Sequence, residues 1–133
     1  MELWQKVFHE GVAPCVGQES LTALRRALDQ DDNRLVQGRT TIPPPLACAL
    51  DWPVEAACAL GFCHWKGEDG VTVRETDEQV ARWCFEIDQT MGEPAAVRHF
   101  LNWADSSPRD EMRKALIEEI DLALGRAKEE AVA

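Results

Sequence analysis

The sequence predicts an all-α fold: a single compact domain of about five or six helices packed around a buried central helix at residues 53–65. Three observations carry this expectation. Apolar residues recur at spacings of three and four in successive segments. Clusters of Gly, Pro, Ser and Asp separate those segments as helix ends do. Val71-Thr72-Val73 is too short to make a sheet by itself. With 133 residues, 45% of them hydrophobic, the chain is one domain long and large enough to bury a core without disulfides or a metal.

Taken in order, Leu3, Trp4, Val7 and Phe8 mark a short amphipathic helix over residues 2–10, ended by Gly11, Pro14 and Gly17 with Cys15 in a loop. His9 falls at that helix end, where a cation suits the dipole. Ser20 reads as the N-cap of a helix over 20–30 whose buried face is Leu21, Leu24 and Leu28. Residues 35–42 read as a short extended piece. Pro43, Pro44 and Pro45 then make a stiff proline-rich connector over residues 41–46, followed by one helical turn over 46–50.

Asp51-Trp52-Pro53-Val54-Glu55 has the composition of a helix start, with Pro53 at the first position and Glu55 in the first turn. From there to Trp65 only Glu55 and His64 are polar, so the helix is expected to be buried all round. Thr72 with Glu75 and Thr76 with Gln79 form two overlapping capping boxes for a helix running to Met91. Its buried stripe is Val80, Trp83, Cys84, Ile87 and Met91. Gly92 closes it and Pro94 opens the next helix, with Ala96, Val97, Phe100, Leu101 and Ala104 on its apolar face. Ser107 and Pro108 start the last helix. Met112, Leu116, Ile120, Ala123 and Leu124 face inward there, Glu118 and Glu119 face solvent, and Lys128 to Ala133 form a frayed tail.

Charge is the strongest bulk feature. Fourteen Lys and Arg against 24 Asp and Glu leave a formal net charge of −10. That disfavours nucleic acid and anionic membrane surfaces, and it suits a basic protein partner. No apolar run reaches membrane-spanning length and the N-terminus lacks a signal-peptide pattern, so a cytoplasmic location is expected.

The five cysteines are expected to be reduced, most of them as small buried groups. Cys15, in its loop, is the expected most reactive thiol. A metal set could draw on Cys63, His64, Cys84 and His99, within a wider group that includes Cys48 and Cys58. Cys58 and Cys63, five residues apart on a continuous helix, would face directions about 140° apart, which argues against one site holding both. No phosphate loop, dinucleotide fingerprint, HExxH or GxSxG occurs, and no cofactor is expected.

The leading functional expectation is a small non-catalytic protein that binds another protein as an adaptor, regulator or immunity-type inhibitor. Trp4 and Trp103 are its expected exposed anchors, and Asp51 and Glu55, beside Trp52, its expected acidic contacts. The alternative is a thiol- or metal-dependent module or enzyme using Cys48, Cys58, Cys63, His64 and Cys84. Partner identity and oligomeric state are not legible.

Overall fold

The structure, a computed structural model, describes residues 1–43 and 51–132. The prolines at 44 and 45, the turn expected at 46–50 and Cys48 lie outside the described residues. Within them the mostly helical expectation holds. α1 (Leu3–Val7) continues without a break into a π-turn (Phe8–Val12) and then α2 (Ala13–Val16). The expected stop at Gly11 is therefore corrected. A proline inside an α-helix loses one backbone bond and crowds the carbonyl four residues back. The wider π-turn, in which the Ala13 N–H bonds to the Phe8 carbonyl, accommodates Pro14 one residue later. Gly11 serves close packing: a Cβ there would lie 2.8 Å from Ile87 Cγ2. The rod ends at Gly17, whose φ of 88° also makes it the N-cap of α3 (Gln18–Asp29). Ser20, expected as the cap, is instead buried within α3.

The expected central helix is the largest correction. Only Ala59–Trp65 (α4) is helical, with Cys58 as its N-cap, and residues 53–58 are not helical. β1 (Thr41–Ile42) pairs antiparallel with β2 (Ala56–Ala57). Pro53 bridges Thr72 and Leu35 bridges Ala57. Partners remote in sequence satisfy this backbone. Val54 N–H reaches Val71, Glu55 reaches Ile42, Ala57 reaches Arg34, and Cys58 reaches Thr40. Buried backbone groups need such partners, and residues 53–58 find them outside any helix. Gly61 lets α4 press on this ladder, because a Cβ would collide with the Thr40 carbonyl oxygen.

α5 (Val73–Met91) begins at Thr72, whose hydroxyl accepts from the Glu75 N–H, and ends at Gly92 in the left-handed region. Thr76 is not a second cap but sits buried one turn inside. Asp88 of α5 accepts from the Ala95 and Val97 N–H groups, 3.0 and 2.9 Å away, and so caps α6 (Val97–Ser106) from a neighbouring helix. α7 (Arg109–Val132) runs through Gly125. Counting α1, the π-turn and α2 as one rod, these are six helical rods among the described residues. They share a core in which Phe8, Leu28, Ile87, Leu116 and Ile120 have no exposure. Burying a side chain of that size contributes about 1.5–3 kcal/mol.

Arginines of α7 fasten α3 to it. Arg109 donates to the Leu35 and Asp32 carbonyls and pairs with Asp31, and Arg113 donates to the Leu28 and Asp29 carbonyls. These oxygens belong to the end of α3 and the turn beyond it, where a cation also meets the negative end of the helix dipole.

Candidate functional site

The structure moves the expected aromatic anchors. Trp4 is buried, and its indole lies flat on Trp103 with centroids 3.5 Å apart and planes 3° apart. Trp103 is half-buried. The two close α1 against α6, so the exposure expected of them is corrected. Their neighbour Phe100 in turn reaches Phe8, 5.8 Å between ring centres. The exposed aromatics are Trp52 at 46% and Phe85 at 63%. Trp52 sits between exposed Asp51 and exposed Glu55. Asp51 pairs with Arg74 at 3.1 Å, and neither carboxylate caps α4. Phe85 flanks a shallow groove of about 360 Å³ with Gly92, Pro94 and Ala95.

Among the described residues, burial raises the thiols of Cys15, Cys58, Cys63 and Cys84. Cys63 is wholly buried and burial pushes its thiol up. Cys58 is buried too and raised by the same desolvation. Cys15 lies on α2 rather than in a loop. Burial, and then the Glu86 carboxylate that accepts its S–H at 3.3 Å, push it up to about 12. A thiolate is the reactive form, and the surroundings of Cys15 disfavour it, although Cys58 and Cys63 are buried more deeply. Among the described residues no three His, Cys, Asp or Glu side chains are gathered as a metal set. Of the expected ligands, His64 faces Trp83 at 6.3 Å, and His99 lies 3.6 Å from Glu93.

One site is not visible in the sequence. A cleft of about 400 Å³ lies between the π-turn with α2, the start of α3 and the second half of α7. At its base His9 Nε2 stands 3.1 Å from Glu119 Oε1, with the two side chains only 5% and 10% exposed. Glu119 also accepts from Gln5 Nε2 at 3.4 Å. On the other side of the imidazole, Arg126 Nη1 lies 3.3 Å from Nδ1. A guanidinium has donors only. Nδ1 must therefore accept, and Nε2–H must donate to Glu119. Ala13, Pro14, Leu21, Ala123 and Ala127 give the cleft apolar walls, and Gln18 and Glu130 stand on its lining as well.

The π-turn is what builds this base. Such turns are inserted into α-helices at functional sites more often than elsewhere, and this one carries His9. Glu119, expected in solvent, is buried on the inner face of α7. The signal was present: Glu119 follows Met112 by seven residues and Leu116 by three, which places it on their stripe.

Comparison of the chain with family models, with curated proteins and with solved structures finds no match in any of the three.

Proposed function

We propose that this chain is a small acidic cytoplasmic protein that acts without catalysis, by binding a basic protein partner as an adaptor, regulator or inhibitor. The observation that carries the reading is Trp52, 46% exposed between two exposed carboxylates. A large aromatic ring in an acidic setting gives a partner both an apolar anchor and a charge to steer toward. The acid surplus supports it. Every acidic residue except Asp32, Asp77, Asp88 and Glu119 is exposed. Meanwhile Arg25, Arg34, Arg74, Arg109 and Arg113 are engaged by carboxylates of the chain itself. Phe85, more exposed still, offers a second anchor. The alternative, thiol or metal chemistry on Cys48, Cys58, Cys63, His64 and Cys84, has less support, because burial raises Cys58, Cys63 and Cys84 alike.

The test is capture of a partner from an extract of the source cells at low and high salt, with Trp52→Ala and Phe85→Ala beside the unaltered protein. The reading expects a basic protein that is retained at low salt, released at high salt and lost with Trp52→Ala. Failure to retain any basic protein at low salt would remove its main support.

A further inference from the structure

We propose that the cleft over His9 is a binding site for a small monocarboxylate with an apolar body, anchored by Arg126. The cleft is independent of Trp52 and Phe85, neither of which lines it. Its volume of about 400 Å³ lies in the range of small-molecule sites. Its lining joins apolar walls from Ala13, Pro14, Leu21, Ala123 and Ala127 to one arginine. That composition suits a ligand with an apolar body and one anionic end.

Arg126 differs from the other arginines that bridge elements of this fold. Arg25, Arg34, Arg109 and Arg113 each hold a carboxylate. Arg126 instead lies 3.3 Å from Nδ1 of His9, and among the described residues no carboxylate lies within ion-pair distance of it. Of its five N–H donors one is directed to His9, which leaves donors for a planar, bidentate acceptor such as a carboxylate. His9 is itself fixed from behind by Glu119, which is steadied by Gln5. This chain of contacts reaches from the core to the cleft and orients the guanidinium, so His9 and Glu119 act as positioning residues.

The lining also limits the ligand's charge. Glu130 is part of the cleft, and its carboxylate repels any anion there, a dianion more strongly than a monoanion. A monoanion therefore fits better than inorganic phosphate. The apolar walls favour an aromatic or branched aliphatic body over a formate-sized one.

The test uses the full chain labelled with ¹⁵N and titrated with benzoate, with benzamide as the neutral analogue and with inorganic phosphate. Benzoate is expected to give saturable amide shifts confined to His9, Ala13, Leu21, Ala123 and Ala127. Benzamide and phosphate should bind at least about tenfold more weakly, as should benzoate to Arg126→Gln, since the charge-assisted bonds are then lost. Arg126 is exposed, so the variant should keep the native spectrum elsewhere. Arg82→Gln, a change at an exposed arginine of α5, should leave affinity unchanged. No saturable shift with benzoate, equal affinity for benzamide, tighter binding of phosphate, or equal binding to Arg126→Gln would each overturn the proposal.

Discussion

Gly61→Ala and Gly125→Ala are the same substitution in two helices, and the structure gives them opposite signs. In a helix interior alanine is favoured over glycine by about 1 kcal/mol. At Gly125 a Cβ meets nothing within 4 Å, so most of that gain should appear as stability. At Gly61 the new carbon would collide with the Thr40 carbonyl oxygen and lie 3.1 Å from the Ala57 Cβ. The Thr40 oxygen is backbone and cannot rotate away. Overpacking of this kind costs about 3 kcal/mol at the upper end. Shifting Thr40 also strains its bond from the Cys58 N–H, 3.2 Å long, at a cost of about 1 kcal/mol. The net expectation is a loss of about 2–3 kcal/mol for Gly61→Ala and a gain of about 0.5–1 kcal/mol for Gly125→Ala. For a chain of this size that corresponds to roughly 3–4 °C per kcal/mol in Tm. Urea and thermal melts followed by circular dichroism read both. A Gly61→Ala protein as stable as the unaltered one would refute the packing of α4 on the Thr40 backbone.

Three further outcomes follow from single contacts. Trp103→Ala removes one half of a stacked pair and uncovers Trp4, so it should cost about 2–3 kcal/mol and shift Trp4 fluorescence to the red; an unchanged melt would contradict the stack. Cys15 should react with a disulfide reagent at pH about 8 at least about tenfold more slowly than a free thiol, and Glu86→Gln should speed it, as read by mass mapping. The hydrogen bond from Arg34 holds Asp32 below the usual carboxylate range. The stability this adds is fully present above an unfolded value of about 4 and is lost as pH falls through the lower folded value, so Asp32→Asn should flatten the acid limb of a stability–pH curve.

The helices whose ends are made by neighbours in sequence were legible. Thr72, Gly92 and Pro108 mark α5 and the start of α7 by local chemistry, and the buried stripe Met112, Leu116, Ile120 follows from period alone. Residues 53–58 were not legible. Ala56, Ala57 and Cys58 are small and apolar and suit a buried helix as well as a buried strand. What decides between them is pairing with Arg34, Thr40, Ile42 and Val71, which no local pattern displays. Exposure of the tryptophans is equally a tertiary outcome: Trp4 and Trp103 cover each other, whereas Trp52 is 46% exposed. The cleft escaped notice because a proline and a glycine near His9 read as a helix stop. In the structure they sit in and beside a π-turn that keeps the helix going. Reading Glu119 with its solvent-facing neighbour Glu118 concealed the other half of the buried pair.

The partner-binding account is tested most directly by the kinetics of the captured complex. Steering by an acidic exterior acts on association, whereas an aromatic anchor acts on dissociation. Raising salt from about 50 mM to about 500 mM, which shortens the screening length severalfold, should slow association strongly and leave dissociation nearly unchanged. Trp52→Ala should do the reverse. An association rate indifferent to salt, together with a dissociation rate indifferent to Trp52, would contradict the account.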